Sequence, residues 1–184
     1  MHEFDYERIR ANREKMVPVD QLIEVIDPQA GEVILDIGSG DGYYALKMAR
    51  KSPKSKIIAI EMSAKGNNLL RNEMKKEQIE NIEIIEDDVC KIKKFPEYDK
   101  VFFSIVFHDF VCKEQLIENL KLSAKKGAQF IFFEFLKDSQ IGPPRQIKLS
   151  GEELMEIGKK CNLKLESEKI FKEHYVQKYL MGSP

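Results

Sequence analysis

Apolar positions along this chain follow two rhythms, one helical and one strand-like, that take turns from end to end. Over Val19–Ile26 the residues Leu22, Ile23 and Ile26 recur at helical spacing, and Pro28 and Gly31 stop the pattern, which predicts a first helix. Residues 32–37, Glu-Val-Ile-Leu-Asp-Ile, are rich in branched side chains and bounded by glycines, as a buried strand is. The helical rhythm returns over Tyr43–Lys51 until Pro53, and Lys56–Ile60 reads as a second strand ending at Glu61. Ser63 is placed to cap a long helix over 63–78, with Leu69, Leu70 and Met74 facing inward. Ile82–Ile85 is a third strand, and 99–105 a fourth, apolar almost throughout because both of its faces are covered. A helix over 113–124 ends by Gly127, a fifth strand covers 128–136, and Ser150 caps a helix over 152–161. Leu163–Ile170 and residues 174–180 close the chain as a strand pair. The alternation predicts an α/β fold, a largely parallel sheet with helices on both faces. Residues 137–149, with Gly142-Pro143-Pro144, form the one long irregular stretch, either filler or part of a substrate lid.

At 184 residues the chain is near the size of a single domain, long enough to bury a core without disulfide or metal staples. Its 30 basic and 31 acidic side chains nearly cancel, which disfavours a general polyanion binder. Lys91, Lys93, Lys94 and Lys100 remain as a local basic edge. Cys90, Cys112 and Cys161 are odd in number and far apart, so they read as reduced, packed thiols with neither a disulfide framework nor a zinc site. The first residues are charged and no apolar run approaches the roughly 18 residues of a membrane span, so a cytoplasmic protein with no membrane partner is expected. Heavy use of Lys, Glu and Ile points to a heat-adapted source.

The strongest chemical signal is 33–42, Val-Ile-Leu-Asp-Ile-Gly-Ser-Gly-Asp-Gly, a strand running through glycines into a helix. Glycines let the backbone turn sharply and approach a ligand, and the helix N-terminus behind them offers unpaired N–H groups. A dinucleotide loop needs G-x-G-x-x-G, but its third glycine falls on Tyr43. Asp36 and Asp41 would also repel a pyrophosphate. No Gly-Lys-Ser/Thr follows, so a Walker A loop is excluded. Carboxylates beside the loop suit a ligand carrying an ammonium and a sulfonium.

On these residues the segment resembles motif I of the class I S-adenosylmethionine-dependent methyltransferases, with Asp36, Gly38, Gly40 and Gly42 on the motif's positions. The resemblance implies the Rossmann-like fold of that family, a mostly parallel seven-stranded sheet with an antiparallel last strand. It implies S-adenosyl-L-methionine as cofactor, with Ser39 and Met62 among its contacts and Glu61 holding the ribose hydroxyls. Residues 82–89 resemble the third strand and its acidic loop, where Asp88 would meet the adenine amino group and the Val89 N–H a ring nitrogen; a one-residue slip would substitute Asp87. Residues 98–110 resemble motif IV, which sets Ser104 and Ile105 at the methionyl end. One methyltransferase domain is expected over 1–184, with 1–18 as an N-terminal cap or a disordered segment and 137–149 against the substrate pocket.

A general base helps methyl transfer only where the acceptor must lose a proton, and His108, just after the fourth strand, is the candidate catalytic residue. Asp109 would orient it or, by preference, cap the next helix. Glu134, a carboxylate in an apolar strand, must find a partner or line the pocket. Arg145 is a surface arginine or an anchor for an acidic substrate; His174 and Tyr175 are pocket or packing; Phe107 alone among its neighbouring phenylalanines is placed to touch ligand. No further ligands support a metal at His108 and Asp109. The acceptor expected is a small molecule. An RNA or protein methyltransferase and a non-catalytic S-adenosylmethionine-binding subunit are the alternatives. Nucleic acid is disfavoured because the fourth strand leads into Ser104-Ile-Val-Phe107, not Asn/Asp-Pro-Pro-aromatic.

Overall fold

The computed structural model describes residues 19–182. Its elements are α1 (Val19–Ile26), β1 (Val33–Ile37), α2 (Tyr43–Lys51), β2 (Lys56–Ile60), α3 (Ala64–Glu77), β3 (Ile82–Ile85), β4 (Tyr98–Ser104), α4 (Lys113–Lys121), β5 (Ala124–Phe135), α5 (Gly151–Lys160), β6 (Leu163–Ile170) and β7 (His174–Met181). The seven strands lie in the order β3-β2-β1-β4-β5-β7-β6. β1 to β5 are mutually parallel, and β7 runs antiparallel to both β5 and β6. The chain leaves β1 toward one edge through β2 and β3, then returns to β1's other side with β4. Between β1 and β4, therefore, lies the reversal point where ligands of open α/β sheets bind.

Alternation along each strand sends side chains to opposite faces, and both faces are covered. Leu35, Ile58, Val101, Phe103, Phe130 and Phe132 pack with α4 and α5 on one side. Ile34, Ile57, Phe102, Ile131 and Phe133 pack with α1 and α2 on the other. Phe103 and Phe132 stack with ring centroids 4.6 Å apart. Each such fully buried side chain contributes about 1.5–3 kcal/mol.

Several details depart from the sequence expectation. β5 begins at Ala124, not 128, and runs through Gly127 at φ 81°. The β4–β5 register shifts between Tyr98 and Lys100, so this glycine serves an irregular strand pair and stops nothing. The Ser63 hydroxyl accepts from the Gly66 N–H as the expected cap of α3, but Asn67 is buried where Leu69 and Met74 were expected, and those two are only half-buried. Cys90 and Cys112 are joined in a disulfide, with Cα atoms 5.8 Å apart, which corrects the reading of three reduced thiols. The two lie 22 positions apart in sequence, yet the loops after β3 and after β4 meet in space. Cys161 alone is a free, buried thiol, its pKa pushed up to about 11 by burial. Lys100 is also no part of a basic edge. It is buried at the start of β4, its Nζ 2.9 Å from Glu32 and donating to the Asp27 carbonyl. Among the described residues no helix is long and apolar enough to cross a membrane. The expected cap or disordered segment at 1–18 lies outside the described residues.

Candidate active site

The glycine loop leaves β1 at the sheet's reversal point with Gly38, Gly40 and Gly42 at φ 66°, 59° and 74°. These are left-handed values that side chains other than glycine adopt at a cost. A Cβ on Gly38 would stand 2.7 Å from Val106 Cγ2, and one on Gly42 would collide with Leu70 of α3. Glycine is thus required at both positions by protein packing as well as by backbone conformation. The Gly38 and Ser39 N–H groups both donate to the Ile60 carbonyl, at 2.8 and 3.2 Å, which laces the loop to the end of β2.

Glu61 completes that lacing. Its two carboxylate oxygens accept from the Gly40 N–H at 2.9 Å and the Ser63 N–H at 2.8 Å, so it spans the loop and the start of α3. Asn67, fully buried, donates its side-chain amide to the Glu61 carbonyl at 3.0 Å and to Glu86 at 3.1 Å. It was not anticipated as part of the site. Its one signal in the sequence is an amide on the inward face of an otherwise apolar helix stripe. Asp36 and Asp41 are buried beside the loop, and Met62 is exposed next to Glu61.

At the end of β3, Asp88 accepts from the Cys90 N–H at 3.0 Å and lies 3.3 Å from Lys91, while Val89 is buried. Asp87 is exposed and accepts from its neighbour's N–H at 2.7 Å. β4 ends at Ser104, and the next residue, Ile105, takes φ 52°. A β-branched side chain there marks backbone held against its preference, a strain that gathers at functional sites. Nothing in the sequence announced it.

The turn Phe107–Asp109 then delivers His108 to β5. His108 Nδ1 is 2.7 Å from Glu134 Oε2, and the His108 backbone N–H donates to Glu134 Oε1 at 3.2 Å. The side chains are 5% and 1% exposed. Burial alone would lower the His108 pKa, but the Glu134 hydrogen bond and charge, with Asp109 behind them, carry it above the ordinary 6.5. Lys113 donates to the carbonyls of His108 and Phe110, which clamps the turn. Asp109 does not cap α4, whose N-cap is Cys112. It is exposed with Oδ1 3.5 Å from His108 Nε2. Phe107 is core, packed on Phe103 and Phe132, and touches no open space. Arg145 pairs with Asp138 on the surface. His174 is buried, and the Tyr175 hydroxyl donates to the Leu149 carbonyl in the core.

The structure thus brings Asp36, Gly38, Ser39, Gly40, Gly42, Glu61, Asp88, Val89 and Ser104 to the carboxyl ends of four adjacent strands, with His108 on the following turn. The hydroxyls of Ser39 and Ser104 are buried with no hydrogen-bond partner among the described residues. Orphaned donors and acceptors of this kind belong where a polar ligand sits. Carboxylates at the tips of β1 and β2, Asp36 and Glu61, fit a nucleoside bearing positive groups and do not fit a pyrophosphate.

Residues 28–178 match a protein family described as a methyltransferase domain. The chain is 35% identical over 122 residues to a probable ribosomal RNA small subunit methyltransferase A from Methanosphaera stadtmanae, covering 66% of this chain and 43% of that one. It is 28% identical to the (S)-coclaurine N-methyltransferase of Thalictrum flavum subsp. glaucum, over 55% of this chain and 28% of that one. It therefore spans less than half the length of these curated relatives. Among solved structures, a SAM-dependent methyltransferase from Aquifex aeolicus superposes with a TM-score of 0.86 at 21% identity, covering 97% of this chain and all of that one. The family match, the sheet order with its antiparallel β7 and the intact glycine loop agree: the chain belongs to the methyltransferase-domain family, as a class I, S-adenosylmethionine-dependent member.

Proposed function

We propose that this chain, as a single domain, moves a methyl group from S-adenosylmethionine to a small-molecule acceptor in the cytoplasm. When bound, that cofactor supplies an electrophilic methyl group on a positively charged sulfur. Asp36 and Asp41 face its positive methionyl end, helped by the Ser39 and Ser104 hydroxyls. Glu61 keeps lone pairs for the ribose hydroxyls beyond the two N–H groups it already meets. Met62 and Val89 flank the adenine, with Asp88 accepting from its amino group. His108 stands where the acceptor's proton would go, and residues 137–149 close the acceptor side. The protein's chief contribution is alignment in a dry site, an effect worth up to about 7–11 kcal/mol.

The observation that carries the small-molecule reading is the turn after β4. A buried His108–Glu134 couple occupies it, and Lys100 is buried at the start of β4, which leaves Lys91, Lys93 and Lys94 as the exposed part of the basic edge. A second reading, an RNA acceptor, is favoured by the ribosomal RNA methyltransferases among the relatives. Cytoplasmic placement is compatible with Cys90–Cys112 because intracellular proteins of heat-adapted organisms carry disulfides. The test is incubation with methyl-tritiated S-adenosylmethionine and cell extract split into small molecules, RNA and protein. Label in the small-molecule fraction is expected. Label in RNA or protein alone would replace this reading, and tight cofactor binding with no label anywhere would mark a non-catalytic subunit.

A further inference from the structure

We propose that His174 is a recognition residue for the acceptor, an uncharged ring-bearing molecule whose hydroxyl, remote from the accepting atom, hydrogen-bonds the His174 imidazole. The inference rests on the methyl-transfer reading above and adds the acceptor's chemical class. Strand register places the parts. Ser104 pairs with Phe133, Phe133 with Val176, and Phe135 with His174, so these side chains share one face of the sheet. Asp36, paired with Phe102, stands on that face too. Strand spacing and rise set the Cα atoms of Ser104 and His174 about 12 Å apart, with Phe133 and Phe135 beside the line between them. With both side chains reaching inward, that gap suits two fused rings.

Both ends of the row carry unanswered polar groups. The Ser104 hydroxyl and both His174 ring nitrogens are buried with no hydrogen-bond partner among the described residues. Leaving such groups unpaired is costly, and a ligand that pairs with them offsets the cost. Burial keeps the imidazole neutral at pH 7, its pKa down to about 4, with Lys148 adding to the effect and Glu173 opposing it. A neutral imidazole offers one N–H and one lone pair. A hydroxyl answers either nitrogen, whereas a carboxylate answers only the N–H and an ammonium only the lone pair. Lys148 donates to the Ser139 carbonyl and lies over the Phe135 ring, so it is engaged elsewhere. The rings of Phe133 and Phe135, each tilted 33° to the imidazole, make the surroundings apolar and flat. Half-buried Ile105 and Phe171 pack on the same cluster and form its solvent side. Ile105 is the residue held at φ 52°, next to Ser104, so the strained backbone stands at the donor end of the row. The cover is the 137–149 loop, which rests so closely on Phe135 that a Cβ on Gly142 would stand 2.5 Å from its ring.

The probe is 2-naphthol, whose fluorescence is unobscured because the chain has no tryptophan. With S-adenosylhomocysteine present it should bind saturably and shift the His174 ring resonances in nitrogen-15 spectra, assigned through His174→Phe. Its affinity should fall at least about ten-fold in His174→Phe and stay within about three-fold of wild type in His174→Gln, which keeps a donor and an acceptor. Naphthalene, with no hydroxyl, should not distinguish wild type from His174→Phe. A packing role predicts the reverse order, because phenylalanine fills the slot between two rings and glutamine does not. With the extract fraction that takes up label, His174→Phe should need at least about five-fold more for half-maximal rate, with the maximal rate within about two-fold. Calorimetry should place S-adenosylhomocysteine affinity within about two-fold of wild type in both variants, which separates this proposal from the donor site. Unmoved His174 resonances, no 2-naphthol binding, or a greater loss in His174→Gln than in His174→Phe overturns the proposal and leaves the methyltransferase reading intact. No label in any fraction overturns both.

Discussion

His174 lies at the start of β7 between the rings of Phe133 and Phe135, with centroids 5.0 and 4.5 Å away. It is buried, and neither ring nitrogen has a hydrogen-bond partner among the described residues. Burial, reinforced by nearby Lys148 and only partly opposed by Glu173, pushes its pKa down to about 4 from 6.5. A group that resists charging in the fold supports stability above its unfolded pKa and withdraws that support as pH falls through the folded value. Wild type should therefore lose about 2–3 kcal/mol between pH 6.5 and 4 through this residue alone. His108 has the opposite sign: its raised pKa contributes stability below about 6.5, lost as pH rises through the folded value. Urea unfolding of wild type and His174→Phe at pH 7 and pH 4 isolates the first effect. The variant should lose less stability on acidification, and parallel losses would refute the assignment. The motif residues were legible because each stands at a strand end in fixed order. The partner of Glu134 was not, since a carboxylate in an apolar strand announces a debt without naming the residue, here 26 positions away, that settles it.

Between elements, the Cys90–Cys112 disulfide spans 22 positions and ties the loop that follows β3 to the one that carries His108 toward α4. The first of these loops holds Asp88 and Val89, so the crosslink joins the loop proposed to meet adenine to the one that follows the His108 turn. Closing a loop of this length restricts the unfolded chain by about 3 kcal/mol. The Cys90→Ser/Cys112→Ser double variant should lose stability of that order and bind S-adenosylhomocysteine more weakly, through an Asp88 turn no longer anchored. Alkylation and mass measurement of the native protein report the bond directly. Two free thiols, or a variant as stable as wild type, would contradict this account. The elements from α1 to β4 could be read to within a residue or so because their periods are clean and glycine or proline bounds most of them. At β5 the same cue misled: Gly127 sits at a register shift inside the strand, and a bulge and a terminator look alike in one dimension.

Across the whole sheet the two rims divide their work. The carboxyl rim gathers Asp36, Glu61, Asp88, Ser104 and His108. The amino rim gathers ion pairs that touch none of them: Lys100 with Glu32 at 2.9 Å, and Lys125 with Asp99 at 2.7 Å, where Asp99 also accepts from the Val33 N–H. In β4 alone the rims are separated by the four residue steps from Lys100 to Ser104, or about 13 Å of strand. Removing one partner of a buried pair leaves an uncompensated charge, a cost of about 3–5 kcal/mol when both are sealed. Glu32 keeps 22% of its side chain exposed, so Glu32→Ala should lose somewhat less, about 2–4 kcal/mol, in urea unfolding. Replacing both partners with apolar groups, as in Glu32→Leu/Lys100→Met, should restore most of the loss, because the cost lies in the stranded ammonium and not in the missing bond. Through both changes the affinity for S-adenosylhomocysteine should stay within about two-fold, since no charge on the donor side moves. A ten-fold loss of affinity in Glu32→Ala at unchanged stability would mean that the strands transmit the amino rim's charge to the cofactor, and the division of labour between rims would fail.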